Sequence, residues 1–240
     1  MASTGVAEML GGSPAEDTAR LLADRVTDAR PAGVDRMRLV GAWSARCLSL
    51  LVLGYVAVFV AGFASVGDLA KPLPDPYLAV AEVMILVIAP IMLLMMAAIH
   101  HGAPQDARPF TRVASGWMTA ASALTILAHF VQLTVARHID PALSGYARIF
   151  GWQWPLTLYA LDIVAWDVFF GLSLLFAVPA FTPQHAAAVR RWLIVSGSLC
   201  LIGLVGPFFD AMEWRMIGVA GYRIVFGIAC IRLGKWFTQE

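Results

Sequence analysis

Charge is scarce in this chain. Asp, Glu, Lys and Arg make up only 14% of its 240 residues, and the formal net charge is +1. So low a charge excludes an ordinary soluble domain and gives no basic face for nucleic acid. The two lysines, Lys71 and Lys235, fall at the edges of apolar runs, which excludes a retinal Schiff base inside the bundle. The three cysteines, Cys47, Cys200 and Cys230, have no CxxC or CxxxC spacing, so they read as packing residues and not as a disulfide or metal set. HExxH, DDxxD, GxSxG, P-loop and GxGxxG patterns are missing from any context that would use them. Of the histidines only His129 lies deep in an apolar run, which leaves a haem without a second axial ligand. No metal and no cofactor is expected.

What is abundant is apolar sequence: 60% hydrophobic residues and a mean hydropathy of +0.74. Six runs exceed the ~20 residues needed to cross a hydrocarbon core. They are Ala42–Val66, Tyr77–Ile99, Arg112–Ala136, Trp154–Phe181, Arg190–Phe209 and Trp214–Lys235. Short connections carry the breakers Lys71-Pro72-Leu73-Pro74-Asp75-Pro76, Gly102-Ala103-Pro104, Asp140-Pro141 and Thr182-Pro183. The expected fold is an all-α, six-helix transmembrane bundle over residues 42–240. It is preceded by a segment, residues 1–41, that lacks the apolar core of a cleaved signal. Ser13-Pro14 opens a short amphipathic helix there, with Leu21, Leu22 and Val26 at helical spacing. Lys and Arg crowd the ends that share a side with the N-terminus, among them Arg36, Arg38, Arg108, Arg190 and Arg191. Both termini are therefore expected in the cytoplasm, with the cell membrane as host.

Ionisable groups inside the runs cost on the order of 3 kcal/mol each unless paired or hydrated. A rise of 1.5 Å per residue puts Glu82 roughly 7 Å, Asp162 roughly 12 Å, Arg223 roughly 14 Å and Asp167 roughly 20 Å below the outer ends of their helices. His129 and Gln132 lie near the outer end of the third run, and Asp210 and Glu213 at the outer corner between the fifth and sixth. Ser115, Thr119, Ser122, Thr125, His129 and Gln132 form one polar stripe, suited either to helix packing or, at His129, to proton transfer. Arg223 keeps its charge, so a carboxylate or several carbonyls should face it, unless it binds an anion or orients a substrate. Asp162 and Asp167 are about 140° apart on an α-helix, which sends one to the bundle interior and the other to a neighbouring helix.

The pattern left open is metal-free acid/base chemistry in an aromatic cavity. A desolvated carboxylic acid retains a proton to donate, and ring faces stabilise cations. Tyr159, Trp166, Phe169, Phe208, Trp214 and Tyr222 are the rings at hand. The stretch Ala165-Trp166-Asp167-Val168-Phe169-Phe170-Gly171 resembles the Trp-acid-x-x-x-Gly segment of the small integral membrane terpene cyclases. That resemblance implies a multispanning enzyme that protonates an isoprenoid epoxide or alkene, with Asp167 as the motif acid. Glu82 or Asp210, chosen by depth, would be the second acid or base, and His129 a relay. Partners would be a lipophilic small molecule and membrane lipids, with a homo-oligomer open. Two other classes fit the same residues: a proton-coupled small-solute carrier or ligand sensor, and a structural assembly protein joined through Gly54, Gly62, Gly203, Gly206 and Gly221.

Overall fold

The computed structural model describes residues 32–67, 73–140, 142–143 and 145–239. The expected amphipathic helix before Pro31 lies outside them. Met37–Glu240 form one compact unit; of the unit before it, Met1–Arg36, the described part is helical. Among the described residues there is helix and no strand.

Six helices are long and apolar enough to cross a membrane, the pattern of a multi-pass membrane protein. They are α1 (Arg36–Val66), α2 (Tyr77–Gly102), α3 (Arg108–His138), α4 (Thr157–Ala180), α5 (Gln184–Phe208) and α6 (Met212–Gln239). Most extend past the apolar windows that mark them in the sequence, because polar residues such as Arg108 and Gln184 continue a helix once its core-facing side is buried. The fourth is instead shorter at its start, where Trp154-Pro155 belongs to the preceding loop.

Lipid tails give no hydrophobic drive for helix association, so contact rests on close packing and interhelical hydrogen bonds. Ser122 Oγ donates to the Ala89 carbonyl of α2 at 3.1 Å, Ser173 to Ala114 of α3 at 2.8 Å, and Ser196 to Gly221 of α6 at 2.9 Å. Elsewhere on the α3 stripe, Ser115 and Thr119 bond back to their own helix. Glycines let α5 approach both neighbours: Gly197 meets the Gly171 backbone of α4, and Gly203 meets the Gly218 backbone of α6. Met92, Met95, Met96, Met118, Phe170 and Phe226 fill the centre. The most enclosed helix is α4, with 61% of its apolar window buried against 22% for α1.

Two helices change their winding where the polar residues stand. Val164–Phe170 of α4 and Gly221–Val225 of α6 are π-helical, a wider turn closed by i→i+5 bonds. At the end of the bundle where α3 stops and α4 begins, the intervening loop folds over the helix ends. Its short helix Tyr146–Phe150 is tied down by the Tyr146 hydroxyl, which donates to the Ala136 carbonyl at 3.1 Å. Arg137 pairs there with Asp75 at 2.6 Å.

Candidate functional site

Five ionisable side chains from four helices meet beneath that loop. Glu82 comes from α2, His129 from α3, Asp162 and Asp167 from α4 and Arg215 from α6, and none is more than 7% exposed. His129 bridges two carboxylates: Nδ1 lies 2.6 Å from Glu82 Oε2 and Nε2 lies 3.3 Å from Asp162 Oδ1. Arg215 Nη2 then donates to Asp162 Oδ2 at 3.4 Å, and Arg215 Nε lies 3.6 Å from Asp167 Oδ2. Acid and base alternate along the whole chain, Glu82, His129, Asp162, Arg215, Asp167.

Proton counting limits its states. Two contacts from one imidazole to two carboxylates need a proton in each, one more than neutral histidine carries. The extra proton sits on the imidazole or on a carboxyl group; either way the Glu82–His129–Asp162 triad carries a formal −1, which Arg215 offsets. Two different ring nitrogens face the two acids, so the donors do not converge on one point, and no group of three or more His, Cys, Asp or Glu among the described residues could hold a metal ion.

Asp167 stands apart within the chain. It is fully buried, and neither carboxyl oxygen has a hydrogen-bond partner. The room it occupies comes from glycines: a side-chain carbon at Gly218 would collide with Oδ1, and one at Gly203 would lie 3.4 Å from it. On an α-helix Asp162 and Asp167 would diverge, yet both face Arg215. The π turn between them supplies the missing rotation and corrects the expectation of two separate faces.

Aromatic rings wall the chain. Trp152, from the covering loop, lies 5.0 Å from the His129 ring and 6.1 Å from Tyr159. The Tyr159 hydroxyl accepts from Arg215 Nη1 at 3.1 Å, and its ring lies 4.8 Å below the same guanidinium. Deeper in, Trp166 meets Tyr222 at 5.1 Å and Phe170 at 5.3 Å, and Phe170 meets Phe226 edge-on.

Arg223 has a different setting from the one expected. Among the described residues no carboxylate pairs with it. Nη2 donates to the Tyr55 hydroxyl at 3.0 Å, and the guanidinium lies over the Tyr55 and Phe59 rings at 4.0 and 4.8 Å, with Tyr222 at 5.6 Å.

Four further sequence candidates lie outside the cluster. Asp210 is exposed at the α5–α6 corner in a left-handed backbone (φ 53°), where its carboxylate accepts from Trp154 Nε1 at 3.0 Å. Phe208 and Trp214 are 79% and 52% exposed at the same corner, and Phe169 stacks on Trp117. Depth alone groups the corner residues with the buried acids; the helix end after Pro207 turns them outward. Conversely, Arg215 is central although its place near the start of the sixth run marks it as an edge charge. The signal that could have found it is the spacing Arg215, Gly218, Tyr222, three buried residues on one helix face.

A hollow at the opposite end, lined by Gly102, Pro104, Thr182, His185 and Trp236, contains no carboxylate. The chain matches no protein-family model, no curated protein and no solved structure.

Proposed function

We propose that the protein is a membrane enzyme for metal-free, acid-initiated cyclisation or isomerisation of a lipophilic, isoprenoid-like substrate that reaches the site from the bilayer. The observation that carries this reading is Asp167, a fully buried carboxyl group without a hydrogen-bond donor, one guanidinium away from a histidine held between two further acids. With Asp167 protonated the five-residue chain is neutral, the state in which burial costs least. Its proton passes to an alkene carbon or an epoxide oxygen. The cation forms beside the Trp166 and Tyr222 rings, and a proton lost to a carboxylate closes the cycle, so substrate and product have the same mass. Arg215 holds Asp162 and Asp167 in register, and the triad returns the proton. The Lys and Arg bias favours cytoplasmic termini, which puts the covering loop on the outer face of the cell membrane.

Mass spectrometry on membranes incubated with linear isoprenoid alcohols, epoxides and prenylated aromatics tests this directly. An isobaric product from the wild type, lost in folded Asp167→Asn and reduced in Glu82→Gln, is expected; conversion unchanged in Asp167→Asn removes the role given to that residue.

One observation favours a second reading, a proton-coupled carrier or sensor: His129 joins acids from two other helices, and both π segments stand where conformational change would bend α4 and α6. Solute uptake into proteoliposomes driven by a pH gradient and lost in Glu82→Gln would replace catalysis by transport.

A further inference from the structure

We propose that Arg223 is the docking point for the anionic head of a lipophilic ligand, a carboxylate being the simplest case, so that anionic amphiphiles are favoured over the matching alcohols. The proposal rests on the reading above in one respect, the protonated state of Asp167. With that state, Arg215 offsets the triad and Arg223 is a cation left over. Nine residues beyond Trp214, it lies ~14 Å along α6, near the bilayer centre. A guanidinium there cannot shed its charge and needs an anion or water.

The geometry leaves the place for that anion open. The guanidinium carbon lies over the rings of Tyr55, Phe59 and Tyr222, as in cation–π contacts, and none of these rings brings a negative charge. Its edge, the fork of N–H donors that binds carboxylates in pairs, gives one bond to Tyr55 and none to any other described side chain. The residue is half-buried, and none of its nitrogens is both sealed from outside and unpaired. Neighbouring Ile224 and, on α1, Val60 are 61% and 64% exposed on the lipid-facing side. A tail could remain in lipid beside these residues while the head reaches Arg223. Tyr222 touches both the Arg223 guanidinium and the ring of Trp166, the residue that precedes Asp167 in the π turn of α4.

The test is equilibrium binding to the full chain in nanodiscs of zwitterionic lipid, with a fifteen-carbon isoprenoid carboxylate and the matching alcohol as probes. Wild type should bind the acid about 10- to 100-fold more tightly, the range of one charge-assisted contact. Arg223→Gln should abolish that preference while leaving alcohol binding in place, and Arg223→Lys should restore part of it. Two further arms separate sources: acetate as a competitor reports a small aqueous anion, and nanodiscs containing anionic lipid report a headgroup. Displacement of the carboxylate by either identifies what occupies Arg223 and keeps the anion site. Equal binding of acid and alcohol by wild type overturns it, as does a preference that survives in Arg223→Gln. If Arg223 is instead the distant counter-charge of an ionised Asp167, Arg223→Gln lowers stability and wild type shows no preference for the acid. Binding requires no turnover, so a loss of catalysis in the conversion assay and a failure here are separate results.

Discussion

Gly218→Ala puts the packing around Asp167 under direct strain. The new methyl group would collide with Asp167 Oδ1 and lie 3.1 Å from its Cγ and 3.3 Å from the Gly203 Cα. The last contact is relieved by a shift of a few tenths of an ångström; the first two are relieved only by moving a carboxyl group that is fully buried and faces Arg215 Nε at 3.6 Å. Overpacking of this kind costs about 1–3 kcal/mol. If the collision is the cause, removing the colliding atoms relieves it: Gly218→Ala in an Asp167→Ala background should cost at least ~1 kcal/mol less than in wild type, well above the ~0.5 kcal/mol error of additivity. Unfolding by SDS titration, followed by far-UV circular dichroism, gives the four corners of that cycle. Gly116→Ala is the control, since nothing beyond its own stretch of helix lies within 4 Å of the added carbon. Strict additivity, or a Gly218→Ala protein as stable as the control, would refute the claim that these glycines exist to seat the carboxyl group.

The Glu82–His129 contact, 2.6 Å and buried on both sides, should show a coupling of about 1.5–3 kcal/mol in a Glu82→Gln, His129→Gln double-mutant cycle read by the same titration. Ser122→Ala removes one bond to the α2 backbone and should cost only about 0.6 kcal/mol, the average for interhelical bonds in a membrane. Asp75→Ala breaks a pair, exposed on both sides, between the α1–α2 connection and the end of α3, and a loss beyond about 1 kcal/mol would mean that this end of the bundle depends on it.

The six spans are legible in the sequence because a bilayer imposes length and hydropathy on every helix that crosses it. Glu82, His129, Asp162 and Asp167 stand out for the same reason: ionisable groups are rare in such runs. What periodicity could not supply is how they meet. Counting at 100° per residue separates Asp162 from Asp167, and the π turn at Val164–Phe170 is not written in any residue type there. Arg215 is masked in the sequence, since it follows interfacial Trp214, and distance along the chain does not reveal that it meets Tyr159, against which Trp152 of the covering loop packs. Asp210 shows the opposite error, a carboxylate at the right depth that the helix end turns outward.

The indole of Trp152 lies against the imidazole of His129, and this contact makes the protein its own optical gauge. A cationic imidazole quenches an adjacent indole, whereas a neutral one does so far less. The emission of that single ring, isolated as the difference between wild type and Trp152→Phe, would therefore follow where the triad's extra proton resides. Substrate, lipid or voltage could each be varied against that signal without any label being added.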